Sequence, residues 1–287
     1  MNTKAPLRQQ LCDILGAEPA AIGPLSGGCV GEVYRIDMKD GRRFVAKVDH
    51  SAHPILGREA YMLTYLATRS RLPVPAVIHG SDSLLVMEYL PGASRFSPAA
   101  EAHAATLLAD LHSIRAPQYG LEEDTLIGGL HQPNDRTDSW LEFFRDRRLL
   151  FMGRMALDAG RLPARIYDRL ERLAARLDRW LTDPAPPSLI HGDVWTTNVL
   201  AHGDKITGFL DPALYYADPE IELAFITLFH TFGSTFFARY AELHPIRPGF
   251  WEERRDLYNL YPLLVHVRLF GAGYVGSVDR ILTCFGV

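Results

Sequence analysis

The sequence predicts an α+β protein in two unequal parts: a small antiparallel sheet with one prominent helix over residues 1–90, then a larger, mainly helical part over 91–287. Three observations predict this. β-Branched runs with partial alternation, punctuated by turn residues, crowd into the first ninety positions. Beyond Pro91-Gly92 the apolar residues recur at helical spacing instead, with charges on the opposite face. A length of 287 residues with 47% hydrophobic and 22% charged side chains suits an ordinary globular chain of one large or two moderate domains.

In order along the chain, "IGPLSGGCVG" is a Gly-rich turn between two strands. "VGEVYRIDM" and "RFVAKVD" are strands joined by Lys39-Asp40-Gly41-Arg42, an Asp-Gly hairpin turn. "REAYMLTYLATR" places Ala60, Leu63, Thr64 and Ala67 at helical spacing. "LPVPAVIHG" is Pro-punctuated and extended, and "SLLVMEYLPG" is an apolar strand closed by Pro91-Gly92. "PAAEAHAATLLADLHSI" and "ARIYDRLERLAARLDRWL" are amphipathic helices. Residues 189–212 break the helical habit with two short apolar runs around a Gly203-Asp204 turn. "ADPEIELAFITLFHTF" and "RDLYNLYPLLVHVRLF" resume it. The charge-free stretch Leu223 to Ala238 contains His230, Thr231, Ser234 and Thr235, and reads as one buried helix rather than a membrane span.

A net charge of -4, from 34 acidic and 30 basic residues, argues against a nucleic-acid partner that relies on a broad basic field. Cys12, Cys29 and Cys284 are scattered, without metal-ligand spacing. The opening "MNTKAPLRQQL" lacks the apolar core of a signal peptide. The expectation is a soluble cytoplasmic protein with no membrane association.

The chemistry-bearing residues form a series. Ser26 to Gly31 is a glycine-rich turn of the kind that lets backbone N–H groups approach phosphate oxygens. Lys47 is a cation in an apolar strand, where it needs either water or a carboxylate partner; Glu59 in the next helix is the available carboxylate. "LIHGDVWTTNVL" places Asp193 and Asn198 five positions apart, the Asp-x-x-x-x-Asn spacing of kinase catalytic loops. Asp211 follows at the end of "ITGFLD", a second acidic oxygen for a hard divalent cation. Each feature alone also fits a structural turn or cap. Their conjunction, in the order that phosphoryl transfer needs, favours a kinase.

With "HGD" and Asp211-Pro212-Ala213, the chain resembles the protein-kinase-like small-molecule kinases, the group of aminoglycoside phosphotransferases and choline kinases. More narrowly, "SGGCVGEVYR", "HGDVWTTNVL", "DPALYYADPEIELA" and above all "TLIGGLHQPNDRTDSWLEFFRDRRL" resemble the fructosamine kinase (ketosamine 3-kinase) family. The resemblance implies a two-lobe protein-kinase-like fold, ATP and Mg²⁺ as cofactors, and phosphorylation of the sugar 3-hydroxyl of ketosamines, either small molecules or glycated protein lysines. It implies Asp193 as catalytic base and Asn198 and Asp211 as metal ligands. Gly27, Gly28, Cys29, Lys47, Glu59 and the backbone of Met87, Glu88 and Tyr89 would hold the nucleotide. Trp195 would line the sugar pocket, and His191 and Glu222 would support the loop. Val30-Gly31-Glu32 and Thr196-Thr197 depart from the family's usual residues. Cys29, typical of the family, would allow redox control or a disulfide-linked dimer, against the plain reading of a small turn residue; monomer and homodimer both stay open. Two other readings also stay open: a small-molecule kinase for an aminoglycoside or choline, and a catalytically silent kinase-like binding domain.

Overall fold

The computed structural model describes residues 4–25, 31–183 and 186–287. The chain opens with helix α1 (Lys4–Leu15), an element that no sequence observation placed. Strands β1 (Pro19–Pro24), β2 (Glu32–Met38) and β3 (Arg43–Val48) precede helix α2 (Leu56–Arg69), and β4 (Val77–Gly80) and β5 (Leu84–Glu88) follow it. These five strands form one antiparallel sheet in the order β1-β2-β3-β5-β4. The β2–β3 turn closes where the Met38 N–H donates to the Arg42 carbonyl at 2.9 Å, with Gly41 at φ +86°.

Strand alternation distributes the sheet's two faces. Phe44, Ala46 and Val48 pack with Ile36, Met38 and Leu7 and Leu11 of α1. The other face packs Val45, Leu85 and Met87 against Leu56, Ala60 and Leu63 of α2. Lys47 lies on this second face, which is why its long side chain reaches the helix rather than water.

From residue 89 onward helices dominate. Helix α3 (Pro98–His112) starts with Ser97, whose hydroxyl accepts the Ala100 N–H, and with Pro at its first position, as helix entry favours. Strands β6 (Thr125–Ile127) and β7 (Leu130–Gln132) form a hairpin, followed by α4 (Trp140–Glu142), which widens into a π-helical run over Phe143–Leu150 and continues as α5 (Phe151–Asp158). Helix α6 (Ala164–Ala174) leads to β8 (Ser188–Ile190), then β9 (Val199–His202), β10 (Lys205–Phe209) and β11 (Tyr215–Ala217). β9 pairs with β10 and β8 with β11, both antiparallel. Helices α7 (Glu220–Leu228), α8 (Ser234–Leu243), α9 (Arg255–Phe270) and α10 (Val275–Cys284) complete the chain.

One large apolar core runs from Met62, Tyr65 and Leu66 of α2 through the helical part, so the two parts share packing. At its centre Trp140 is fully buried among Tyr119, Phe143, Phe144 and Tyr258. Burial of such rings contributes about 1.5–3 kcal/mol each, and the Trp140 Nε1–H finds the Tyr258 hydroxyl at 2.9 Å. The stretch 223–238 corrects the sequence reading of a single helix. His230 sits at φ +52°, a left-handed conformation that stops α7, and α8 restarts after Gly233.

Candidate active site

The β8–β11 ribbon carries the loop that opens after Ile190. His191 is fully buried, and its carbonyl accepts the Ala213 N–H at 2.8 Å. Gly192 stands at φ +86°, and a Cβ there would lie 2.1 Å from the Ala213 carbonyl oxygen, so no side chain fits between the two segments. The Gly192 N–H donates to Glu222 Oε1 at 2.6 Å. Glu222 Oε2 lies 2.8 Å from His112 Nε2, and His112 Nδ1 lies 2.6 Å from the Tyr240 hydroxyl. Burial works to raise the Glu222 pKa, but the hydrogen bond and charge of His112 outweigh it, and the carboxyl is held below its ordinary value. The first turn of α7 thus grips the backbone of the loop before Asp193 with a buried anion.

Asp193 is half-buried and Asn198 buried in the same loop. Asn198 Nδ2 donates to the Asp193 carbonyl at 3.1 Å and to Asp193 Oδ2 at 2.9 Å. That spends the amide nitrogen and leaves the carboxamide oxygen without a partner among the described residues. Burial, reinforced by the nearby Asp211 charge, pushes the Asp193 pKa up to about 8, against the Asn198 hydrogen bond.

Asp211 adopts φ +50°, in the left-handed region that non-glycine residues enter at a cost. Its Oδ1 lies 2.5 Å from Lys47 Nζ, and Lys47 Nζ also lies 2.7 Å from Glu59 Oε1. Burial would lower the Lys47 pKa, yet the two carboxylates outweigh it and raise the group above its ordinary value. Burial likewise works to raise Asp211, and Lys47 overrides it to hold Asp211 low. Glu59 is pushed up to about 7, first by burial, with Lys47 opposing and Asp211 adding. The structure therefore joins Lys47, Glu59 and Asp211, drawn from β3, α2 and the turn after β10, in one ion cluster.

Two cavities meet at this cluster. A cleft of about 630 Å³ between the sheet and the helical part is lined by Val33, Val45, Met87, Tyr89, Leu90 and Leu200, among others. A smaller one of about 110 Å³ is lined by Met62, Leu126, Gly128, Gly129, Asp193 and Pro212, among others. Lys47, Trp195, Thr197, Asn198 and Asp211 line both. Trp195 reaches the cleft from the loop, with ring neighbours Phe229 at 5.6 Å and His266 at 6.4 Å.

Of the sequence-predicted site residues among the described ones, Met87, Glu88 and Tyr89 line the cleft, Glu59 and Asp193 the smaller cavity, and Lys47, Trp195, Asn198 and Asp211 both, while His191 and Glu222 lie behind the loop. At the junction of the two parts, the Glu88 N–H is spent on the Ala76 carbonyl (2.9 Å) and the Tyr89 N–H on Arg43 (3.3 Å), whereas the Leu90 N–H has no partner among the described residues. The free edge group is thus one residue beyond the predicted run Met87 to Tyr89. Gly27, Gly28 and Cys29 lie outside the described residues. No group of three or more His, Cys, Asp or Glu able to hold a metal occurs among the described residues.

Residues 5–285 match the family model described as fructosamine kinase. The chain belongs to the fructosamine kinase family. A Synechocystis sp. protein named a probable ketoamine kinase is 34% identical over 98% of this chain and 97% of its own. A chloroplastic protein-ribulosamine 3-kinase of Oryza sativa subsp. indica is 31% identical over 96% of this chain and 82% of its own. A Thermobifida fusca crystal structure, provisionally named a fructosamine-3-kinase, superposes with a TM-score of 0.86 at 31% identity, covering 96% of this chain and 98% of that one. An aminoglycoside phosphotransferase at 16% identity and TM-score 0.69, over 97% of this chain and 99% of that one, shares the fold. The protein is a phosphotransferase of the two-lobe, protein-kinase-like class.

Sequence reasoning missed how this fructosamine kinase family member uses residues 125–148 at the site. Gly128 and Gly129, at φ +54° and +80°, make a two-residue hairpin turn whose tip lines the smaller cavity. The Gly-Gly pair in "TLIGGLHQ" between two short apolar runs is the signal that could have found it. Arg148, fully buried, sits over the Tyr215 ring at 3.8 Å and donates to Asn134 Oδ1 at 2.7 Å. Nothing local in the sequence announces that contact.

Proposed function

We propose that this chain transfers the γ-phosphoryl group of ATP to the sugar 3-hydroxyl of a ketosamine, with residues 1–90 as the nucleotide lobe and 91–287 as the catalytic and acceptor lobe. The observation that carries this reading is the shared lining: Lys47, Trp195, Asn198 and Asp211 line both a nucleotide-sized cleft and a smaller cavity, and Asp193 lines the smaller one beside them. The adenine edge would bind at the Leu90 N–H, against Val33, Val45 and Leu200. Lys47, held by Glu59, would orient the phosphates.

The donor set fits Mg²⁺. The Asn198 carboxamide oxygen is unpartnered and the Asp211 carboxylate adjoins it in both cavities, and the sparse protein ligation suits a cation that takes its remaining oxygens from phosphates and water. Bound there, the ion would neutralise charge on the phosphates. Asp193, in the ionised form that a neighbouring cation would favour, accepts the proton of the attacking hydroxyl as its oxygen bonds to phosphorus and the bond to the ADP oxygen breaks. Buried dipoles and fixed charges need no reorganisation during the step, which is where most of the rate arises.

The names of its relatives, a ketoamine kinase and a protein-ribulosamine 3-kinase, support a ketosamine acceptor. Among the described residues no helix is long and apolar enough to cross a membrane, consistent with a soluble, cytoplasmic enzyme acting on small ketosamines or glycated proteins. Release of ADP measured against fructose- and ribulose-amines, aminoglycosides and choline tests the assignment. Turnover with ketosamines supports it; turnover only with an aminoglycoside or choline, or none at all, overturns it.

A further inference from the structure

The β6–β7 hairpin contributes Leu126, Gly128 and Gly129 to the smaller cavity's lining. Its register pairs Thr125 with Gln132, Leu126 with His131 and Ile127 with Leu130. Alternation buries Thr125, Ile127, Leu130 and Gln132 on one face. Leu126, half-buried on the other, reaches the cavity that also holds Asp193 and Trp195.

Gln132 fixes where this hairpin stands. Fully buried, it donates from Nε2 to Thr125 Oγ1 at 2.7 Å and to the Ala213 carbonyl at 3.1 Å, and its Oε1 accepts the Tyr261 hydroxyl at 2.6 Å. Thr125 Oγ1 also accepts from Asn134 Nδ2 at 2.8 Å, and Asn134 Oδ1 accepts from buried Arg148. One amide therefore ties the hairpin to α9 and to the carbonyl two residues after Asp211, the same carbonyl that Gly192 packs against. Such a network in a dry interior sets a single register, because slipping it would orphan several buried polar groups at once.

We propose that the β6–β7 hairpin is the acceptor-side wall of the active site, with Leu126 and the Gly128-Gly129 tip selecting which alcohols reach Asp193, and that Gln132 is the positioning residue that registers this wall to the Asp211-Pro212-Ala213 turn. The inference rests on the ketosamine reading above. The physical logic is that a small apolar wall discriminates acceptors by size, and a missing contact in such a pocket is worth a factor of about 10 to 200. ATP, bound in the larger cleft, does not meet Leu126, which is absent from that cleft's lining.

The test compares Leu126→Ala and Gln132→Leu with the unaltered enzyme, using fructose-lysine and ATP as varied substrates. Leu126→Ala is expected to raise the KM for fructose-lysine about tenfold while the KM for ATP stays within about twofold. Gln132→Leu is expected to show the same split, and Gln132→Glu not to rescue it, because a carboxylate cannot donate to Ala213 and Thr125. If Gln132→Leu does not fold, Leu126→Ala decides the proposal. Parallel changes in both KM values, or an acceptor KM altered less than threefold in Leu126→Ala, would overturn it. Failure of the unaltered enzyme to phosphorylate any ketosamine is a different result and refutes the functional reading instead.

Discussion

Glu222 Oε1 accepts the Gly192 N–H at 2.6 Å, joining the first turn of α7 to the backbone one residue before Asp193. The same carboxylate meets His112, itself against the Tyr240 hydroxyl. The loop that carries Asp193 is thus held from below by a buried, charge-assisted chain, in addition to the bonds that Asn198 makes to Asp193 within it.

Replacing Glu222 by Gln keeps the size but turns one acceptor into a donor facing backbone N–H groups. We expect a loss of roughly 1–3 kcal/mol in denaturant unfolding, together with a kcat reduced by up to about a hundredfold through displacement of Asp193. Unchanged kcat in a folded Glu222→Gln variant would show that the loop holds itself.

Gly192→Ala meets two obstacles: φ of +86° and an Ala213 carbonyl 2.1 Å from the new Cβ. The segments must separate, which breaks the 2.8 Å bond from the Ala213 N–H to the His191 carbonyl. A stability loss of at least about 2 kcal/mol is expected by urea melting, and a variant as stable as the parent would contradict the geometry.

His244 gives a pH prediction. Arg115 Nη2 lies 2.9 Å from its Nε2, which can only accept there, so the ring is neutral in the fold. Burial, then the His112 and Arg115 charges, depress its pKa from 6.5 to about 4. A depressed histidine gives stability that is fully present above the unfolded value near 6.5 and is lost as pH falls toward 4, because the unfolded chain takes up the proton first. Unfolding midpoints at pH 7, 5.5 and 4.5 should decline less steeply in His244→Gln than in the parent. Equal slopes would remove His244 from the account.

How much of this was legible depended on distance along the chain. Lys47, Asp193, Asn198 and Asp211 announce themselves because each is a polar residue out of place in an apolar run, at a spacing the chemistry requires. Glu222 came only with the resemblance, and its partner His112 lies 110 residues away, so no local pattern joins them. The break at His230 was invisible for a related reason: an apolar, charge-free run reads as one helix, and the left-handed residue that ends it is not a glycine. Gln132, Asn134 and Arg148 sit in a segment that the sequence tied to a family but to no structural role. Only the packing of β6–β7 beside the Ala213 turn shows them buried and joined in one hydrogen-bond network.

The most direct test of the central claim is ADP release with fructose-lysine by the parent and by Asp193→Asn, with ATP affinity measured in parallel. The account predicts that ATP binding stays within about threefold while turnover falls by about 10²–10⁴-fold, the contribution of a positioned general base. Near-normal turnover in the Asp193→Asn enzyme would contradict it.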